Sequence, residues 1–481
     1  MTRYETVIGL EVHIELNTKT KIFCACSTDF GAPPNAHTCP VCTGMPGSLP
    51  VFNRVVAEKA IAIGLALQCE ISPLTRFDRK NYFYPDNPQN YQISQLYLPI
   101  ARNGFLEIEI GEGENRRTKK IRIHEMHMEE DAGKLVHDEG ESVSLVDYNR
   151  SGVPLVEIVS EPDFRSAEEV VAYLEKLRMI VRYLDASDGK LQEGSMRVDV
   201  NLSLREEGDT AFGTRTEMKN LNSFHGIQRA VAGEVDRQSA LLLSGEPVIQ
   251  ETRRWDDDIG DSFSMRSKED AQDYRYFPEP DLPPIVISAE WISAVRRRQP
   301  EFRDEKIQRY VREFDLPEYD AEILTASKKM ADIFEAATML CGHAKKVSNW
   351  LMVETMRHMK EHGIEAEQLS FSPANLAKLI RMTDDKTITN SVAKELFALI
   401  FTDNIDPEIH AEKMGLGMQN DEEFLKKMVR EVMDDNPQSI EDIKKGKGRA
   451  MGYLIGQVMK RTEGRANPET VQKILQTQLS E

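Results

Sequence analysis

Two segments of the chain alternate between apolar and polar residues. In residues 7–16 the even positions are apolar, whereas the odd positions carry Glu11, His13 and Glu15. Because strand side chains alternate with a period of two, this pattern predicts a strand with one buried face and one polar face. The same alternation in residues 197–205 brings polar side chains to one face: Arg197, Asp199, Asn201, Ser203 and Arg205. Carboxylate, imidazole, amide and guanidinium groups together suit hard cations and phosphate oxygens.

The wider pattern predicts a mixed first region and a helical second region. Strand patterns recur at residues 7–16, 105–110, 119–128, 143–147, 153–159 and 197–205, and helical patterns occur at 54–68, 167–185 and 224–243. Four prolines within residues 278–284 break this pattern, and the remaining sequence is helical in character. We therefore predict an α+β fold with an antiparallel or mixed sheet in residues 1–290, a helical domain at 291–405 and a small helical tail domain at 406–481.

Composition excludes several classes of protein. The chain has 481 residues, 40% of them hydrophobic, and a mean hydropathy of −0.47. We find no apolar run of the roughly 18 residues that a membrane helix needs, so we expect no membrane partner. The N-terminus enters a strand pattern at once, which argues against a signal peptide. Six cysteines in so long a chain do not form a secreted disulfide scaffold, and we expect a cytoplasmic protein.

The charge is uneven along the chain. A net charge of −19 argues against binding nucleic acid, because phosphates attract a positive surface. However, residues 444–465 are strongly basic and contain Lys444, Lys445, Lys447, Arg449, Lys460, Arg461 and Arg465 against Glu463 alone. This stretch is either a nucleic-acid contact or a solvated helix face that balances the acidic residues just upstream.

Four cysteines within residues 24–42 give the sharpest local signal. The pairs Cys24–Cys26 and Cys39–Cys42 are separated by a loop, which is typical of a zinc site with four thiolate ligands. His37 is a possible substitute ligand. The alternatives are a redox pair or unligated buried thiols, and we favour structural zinc in an insertion at 24–42.

Acidic residues on separate predicted strands indicate a second metal site. Glu129 and Glu130 end one strand, and Glu157 lies in an otherwise apolar strand, where a carboxylate needs a partner. We predict that Glu11, His13, Glu129, Glu130 and Glu157 jointly hold Mg²⁺, which prefers oxygen ligands and leaves room for nucleotide phosphates. The alternative is that Glu11 and Glu15 face solvent on an edge strand. The sequence has no Walker motif and no nucleophile elbow, so neither a P-loop nor covalent hydrolytic catalysis is expected.

Several of these segments together resemble the family of B subunits of the aspartyl/glutamyl-tRNA amidotransferase. The matching segments are residues 5–13, 78–86, 127–134, 147–163, 193–205, 217–224, 446–452 and 466–468. The resemblance extends over nearly the whole chain. It implies that the first domain is a cradle similar to the glutamine synthetase and guanidino kinase fold, and that the helical tail domain contacts the tRNA elbow.

The resemblance also implies a reaction and partners. The family uses ATP and Mg²⁺ to phosphorylate the side-chain carboxylate of Glu or Asp misacylated on tRNA(Gln) or tRNA(Asn), and ammonia then displaces the phosphate. A separate amidase A subunit supplies the ammonia from glutamine through a polar channel, and a small C subunit clamps the two larger ones. The resemblance does not decide which of the two tRNAs is the substrate.

Residue roles follow from the same resemblance. Glu11, His13, Glu129 and Glu157 match the metal and phosphoryl-transfer positions, and Glu130 and Lys80 match polar positions of the channel exit. Some family members lack the cysteines, so this chain resembles the zinc-bearing members. From its residue type we expect Arg197 to hold phosphate by bidentate hydrogen bonds, with Asp199 and Asn201 on the same cofactor-binding face.

Two other functions remain open at this point. One is a tRNA-binding scaffold subunit whose kinase face is degenerate, although a scaffold has no use for a buried carboxylate such as Glu157. The other is a free-standing ligase similar to glutamine synthetase, although the basic helical tail argues against it.

Overall fold

The structure is a computed structural model that describes residues 4–111, 113–137, 143–267, 273–418, 422–444 and 449–480. The chain divides into two compact units, Met1–Glu301 and Phe302–Glu481.

The first unit contains both strands and helices. Its strands are β1 (Tyr4–Glu15), β2 (Glu70–Ile71), β3 (Leu74–Thr75), β4 (Asp78–Asn81), β5 (Tyr91–Ser94), β6 (Ala101–Ile110), β7 (Arg117–Glu130), β8 (Lys134–His137), β9 (Ser144–Asp147), β10 (Pro154–Ser160), β11 (Met196–Glu206), β12 (Thr216–Lys219), β13 (Glu251–Asp256), β14 (Asp261–Ser267), β15 (Phe277–Pro278) and β16 (Ile285–Val286). Its helices are α1 (Arg54–Ala66), α2 (Ala167–Tyr183), α3 (Phe224–Ser244) and α4 (Ala289–Arg297). The Ser166 hydroxyl caps the N-terminus of α2, because it accepts a hydrogen bond from the Glu169 amide.

A sheet of nine strands organises this unit, in the order β14-β13-β12-β11-β1-β10-β7-β6-β2. Its strands pair antiparallel except for β12 and β13, which are parallel, so the sheet is mixed, one of the two arrangements predicted. The alternation along β1 also holds: Ile8, Leu10, Val12 and Ile14 are buried. Helices α1, α2 and α3 pack against the sheet, which leaves the polar positions of β1 and β11 free to form a site.

Among the described residues of the second unit, all regular secondary structure is helical, as predicted. Its helices are α5 (Arg303–Phe314), α6 (Glu318–Leu324), α7 (Lys328–Cys341), α8 (Ala344–Asn349), α9 (Met356–His362), α10 (Pro373–Asp384), α11 (Asn390–Asp403), α12 (Pro407–Met414), α13 (Glu422–Asp435), α14 (Pro437–Lys444), α15 (Arg449–Arg461) and α16 (Pro468–Ser480), and one π-helical turn, Trp350–Thr355, joins α8 to α9. Buried residues within the sequence range 310–411 form one hydrophobic core, and buried residues within 425–475 form a second. Among the described residues, every helix is too short or too polar to cross a membrane.

Candidate active site and metal sites

The register of the central strands brings one row of polar side chains together. His13 on β1 lies opposite Arg197 on β11 and opposite Glu157 on β10. Glu157 in turn lies opposite His127 on β7. Since residues opposite each other on one face of a sheet are direct neighbours, four strands contribute to one row.

Two residues of this row, His13 and Glu157, form a compact group of potential metal ligands with Glu129, which lies two residues beyond His127 on β7. The His13 Nε2 atom lies 3.3 Å from Glu157 Oε2 and 3.7 Å from Glu129 Oε1. One ligand atom from each of the three residues lies within 4.8 Å of the others, so a single small cation fits between them. Burial opposes ionisation, yet the imidazoles of His127 and His13 hold the pKa of Glu157 well below its usual range. Glu157 is therefore an ionised carboxylate in a largely buried site.

His127 and Ser94 contact the carboxylates of Glu157 and Glu129 and hold their orientation. The His127 Nε2 atom lies 3.1 Å from Glu157 Oε2, and the Ser94 hydroxyl donates a 3.1 Å hydrogen bond to Glu129. Neither residue belongs to the group of potential ligands. Such partners of ligand side chains commonly fix their orientation and tune their charge.

Glu11 belongs to a second acidic group on the same face. One oxygen each from Glu11, Asp199 and Glu217 lies within 4.8 Å of the others. The amide of Asn201 donates a 3.0 Å hydrogen bond to Glu11. Burial, with the nearby charges of Glu157, Asp199 and Glu217, raises the pKa of Glu11. The lysine Lys219 forms ion pairs with both Asp199 and Glu217.

Glu130 points away from both acidic groups, because successive strand residues face opposite sides of the sheet. Its Oε1 atom accepts hydrogen bonds from the Gln89 side chain at 2.5 Å and the Ile93 amide at 2.9 Å. It lines a cavity of about 300 Å³ that also contains Cys24 and Cys42. The structure thus divides the five residues predicted to hold one Mg²⁺: three lie together, Glu11 joins another group and Glu130 lies on the other face.

Lys80 and Arg197, two positively charged residues predicted for the site, line a cavity of about 520 Å³ beside His13 and Glu129. The Lys80 ammonium lies 5.0 Å from the centre of the Tyr274 ring. Burial alone lowers the pKa of Lys80, but the charges of Glu129 and Glu157 more than offset it and raise that pKa. Arg197 is already paired, since its Nη2 atom lies 2.9 Å from Asp131 Oδ2.

The four predicted zinc ligands also come together. The Cys42 Sγ atom lies 4.0 Å from that of Cys26 and 3.8 Å from that of Cys39, and Cys24 completes the group. A tetrahedral ion with bonds of roughly 2.3 Å to sulfur needs sulfur atoms about 3.8 Å apart, so the group fits zinc. His37 instead contributes its carbonyl oxygen, which accepts a 2.7 Å hydrogen bond from the buried Lys21.

Sequence reasoning missed four residues of this face: His127, Asp131, Glu217 and Lys219. A signal for His127 was present, because Glu125, His127 and Glu129 alternate with apolar residues just as Glu11 and His13 do. Glu217 and Lys219 lie in a segment with a dense polar run, but no pattern within that segment links them to Asp199.

Two family models match the chain. The model of the GatB/GatE catalytic domain matches residues 6–293, and the model of the GatB domain matches residues 332–479. The chain belongs to the GatB family. The predicted resemblance is thereby confirmed, and both acidic groups and the cysteine group lie within the GatB/GatE catalytic domain.

Curated relatives match this chain over nearly its full length. The chain is 65% identical to the B subunit of the aspartyl/glutamyl-tRNA(Asn/Gln) amidotransferase of Agathobacter rectalis, covering 99% of each chain. It is 62% identical to the B subunit of the same name from Lachnospira eligens, again over 99% of each chain. Against the one from Lachnoclostridium phytofermentans it is 59% identical over 100% of both chains.

Proposed function

We propose that this chain is the transamidation subunit of a glutamine-dependent, ATP-using ligase. It converts Glu-tRNA(Gln) to Gln-tRNA(Gln), Asp-tRNA(Asn) to Asn-tRNA(Asn), or both. The observation that carries the proposal is the convergence of His13, Glu129 and Glu157 beside a cavity that also presents Lys80 and Arg197. Full-length similarity to B subunits of the aspartyl/glutamyl-tRNA(Asn/Gln) amidotransferase supports the same function.

The chemistry requires activation of a carboxylate. Ammonia does not displace oxide from a carboxylate at neutral pH, whereas phosphate is a good leaving group, so ATP must first phosphorylate the side chain. We assign one Mg²⁺ to His13, Glu129 and Glu157. Glu11, Asp199 and Glu217 form a second acidic group on the same face. When bound, Mg²⁺ neutralises charge on the transferring phosphoryl group.

The positively charged side chains of the site have distinct roles. Two anions, the substrate carboxylate and ATP, enter a site that is rich in glutamate, so positive side chains must offset the repulsion. Arg197 can hold a phosphate in a bidentate manner, and Asp131 keeps its guanidinium at the cavity wall. Lys80 stays protonated because Glu129 and Glu157 raise its pKa, so it offers a fixed charge to an incoming anion. Asp199 and Asn201 complete the proposed nucleotide-binding face.

Glu130 is suited to handle ammonium. Burial raises the pKa of Glu130 to about 8, even though a hydrogen bond from the Ile93 amide lowers it. A carboxylate with such a pKa can accept a proton from ammonium and release ammonia toward the reaction site. The 300 Å³ cavity on its side of the sheet supports an approach from that direction, with Lys80 on the other side.

We assign zinc and tRNA to different parts of the chain. The four cysteines hold a structural zinc next to the Glu130 cavity. The helical tail binds tRNA phosphates through its basic stretch; Lys445 and Lys447 lie outside the described residues. We further propose that an amidase A subunit supplies the ammonia, that a small C subunit joins the complex, that the complex is cytoplasmic and that the first unit is a cradle of the glutamine synthetase type.

The decisive experiment compares the purified complex carrying Glu157→Gln or Glu11→Gln with the wild type. Glutaminase activity and tRNA-dependent ATP hydrolysis are measured separately, with Glu-tRNA(Gln) and with Asp-tRNA(Asn). We expect amidation and ATP hydrolysis to fall by orders of magnitude while glutaminase activity persists. Glu109→Gln, which changes an exposed carboxylate on β6, is the matched control.

Each alternative function has its own signature in this experiment. A scaffold subunit would bind tRNA without any ATP hydrolysis that depends on Glu157. A free-standing ligase would amidate free glutamate without tRNA. Wild-type amidation by Glu11→Gln would show that the acidic face does not carry out the reaction.

A further inference from the structure

Lys21 is a fully buried lysine whose hydrogen-bond partners are neutral. Its ammonium donates hydrogen bonds to the carbonyl oxygen of His37 at 2.7 Å and to that of Tyr148 at 3.2 Å. Burying a charged group is costly unless an opposite charge lies nearby. Two carbonyl groups satisfy hydrogen bonds but leave the positive charge of Lys21 without a counter-charge.

The carboxylate that lines the same cavity, Glu130, is held by other partners. Its Oε1 atom accepts hydrogen bonds from the Gln89 side chain and the Ile93 amide. In the part of the chain that the structure describes, no ion pair joins Lys21 to Glu130 or to another carboxylate. The counter-charge of Lys21 must therefore come from a different kind of group.

The group of four cysteines lies beside Lys21. Lys21, Cys24 and Cys42 line the cavity of about 300 Å³, and Lys21 is the single cation among its described lining residues. A methyl group placed on Gly152 would lie 3.6 Å from both the Lys21 Cδ atom and the Cys42 Cβ atom. The Lys21 amide donates a 3.0 Å hydrogen bond to the carbonyl oxygen of Cys26. Both the main chain and the side chain of Lys21 are thus held against the loop that carries the cysteines.

Binding of zinc would turn this group into the missing anion. Four thiolates bring four negative charges and zinc brings two positive charges, so the loaded group is a dianion. The Cys39 amide donates a 3.2 Å hydrogen bond to Cys42 Sγ, but an amide carries no net charge. An ammonium has three N–H donors, and the two carbonyl groups use two of them. The third N–H and the charge of Lys21 therefore remain for the thiolates.

Lys21 also connects the cysteine loop to the residues that precede β10. One of its two carbonyl partners, Tyr148, lies in that segment, and the other, His37, lies in the cysteine loop. In the same segment the Ser151 hydroxyl donates a 3.0 Å hydrogen bond to the Cys42 carbonyl oxygen. Gly152, which follows, lines the cavity of about 300 Å³. The ammonium of Lys21 thus links the proposed zinc ligands to one wall of that cavity.

We propose that Lys21 is the counter-cation of the zinc-loaded cysteine group and a positioning residue that strengthens zinc binding. Its charge offsets part of the negative charge of the thiolates, and the thiolates offset the cost of burying its ammonium. Because each charge stabilises the other, zinc and the buried lysine hold the cysteine loop against residues 148–152 together. This inference rests on the structural zinc of the proposed function.

Zinc affinity of the assembled complex, measured by competition with a chelator, tests this role. Lys21→Met removes the charge and keeps a long side chain. We expect zinc to bind roughly 10- to 100-fold more weakly, the usual range for the loss of a partner of metal ligands. Replacing zinc by Co²⁺ gives a second readout. Loss of a positive charge beside the thiolates raises the energy of the sulfur electrons, so the sulfur-to-cobalt charge-transfer band should move to longer wavelength.

The control is Lys306→Met, which removes another buried lysine. Lys306 lies in the second unit, which contains none of the four cysteines, and pairs with Glu335. This variant should leave zinc affinity and the cobalt band unchanged. Unchanged zinc affinity or an unshifted band in Lys21→Met would overturn the inference, because a lysine that only supports the fold does not alter the electrons of sulfur. If the wild type bound neither zinc nor cobalt through its thiolates, the zinc assignment itself would fail.

A measurement on the wild-type complex keeps the test independent of folding of the variant. Lys21 is labelled with an amine-selective acetylating reagent before and after a chelator removes zinc, and its modification is quantified by mass spectrometry relative to Lys119. Lys119, which pairs with Glu169, is the internal reference. We expect zinc to lower the labelling of Lys21 severalfold, because the loaded thiolates hold its ammonium. Equal labelling with and without zinc would refute the proposed role.

Discussion

The pH dependence of stability should reveal the protonation state of Glu130. Burial raises the pKa of this carboxyl from its ordinary 4.5 to about 8. Between these two values the folded chain holds a proton that the unfolded chain releases, so Glu130 lowers stability progressively as the pH rises through that window. Replacement by Gln mimics the protonated form and keeps an oxygen that can accept from Gln89 and Ile93.

The expected magnitude follows from the two pKa values. Relative to the wild type, Glu130→Gln should raise the free energy of unfolding by about 1 kcal/mol at pH 5, about 3 kcal/mol at pH 7 and about 5 kcal/mol at pH 9. Urea unfolding at these pH values, followed by hydrogen exchange of peptides from β7, measures the difference. Glu107→Gln, on an exposed position of β6, is the control. A stability difference that is the same at all three pH values would refute the reasoning, since it would mean that Glu130 ionises as an ordinary carboxyl does.

Three further predictions concern zinc, a buried lysine and tRNA. The double variant Cys39→Ser, Cys42→Ser should lose its zinc, measured by elemental analysis; retained zinc would show that these thiols are not ligands. Lys21→Met should destabilise the chain by about 2–5 kcal/mol in urea unfolding, because it leaves two carbonyl partners of the Lys21 ammonium unpaired, and unaltered stability would contradict this. Changing Lys445, Lys447 and Arg449 to Ala should weaken tRNA binding and flatten its salt dependence in a filter-binding assay, whereas an unchanged salt slope would favour the solvated-face interpretation.

Local chemistry made part of the site predictable. The spacing of the four cysteines indicated zinc, and their sulfur atoms do lie at distances that suit a tetrahedral ion. Likewise, Glu157 was identified because a carboxylate in an apolar strand needs partners, and His13 and His127 are those partners. The grouping of the cysteines and the need of Glu157 for partners were predictable because each depends only on a residue and its immediate neighbours in the chain; zinc binding itself stays a prediction.

Other elements depend on pairing partners that lie far away in the sequence. The strands β13 and β14 were not predicted, since β13 (Glu251–Asp256) carries charges on both faces and no regular alternation. It becomes a strand because it pairs in parallel with β12 and because Trp255 is buried. Strand propensity of this kind reflects the surroundings more than the segment itself.

The sequence by itself determined which strands have a polar face, which residues lie on those faces and where the cysteine ligands occur. It did not determine how the faces combine, and only the tertiary structure separated Glu11 from His13, Glu129 and Glu157. The opposite orientation of Glu130, by contrast, follows from the alternation of its own strand. The physical reason for the separation of Glu11 is strand register: a shift of one residue reverses the face of every side chain, and register is set by pairing between distant strands. No spacing within a single strand contains that information.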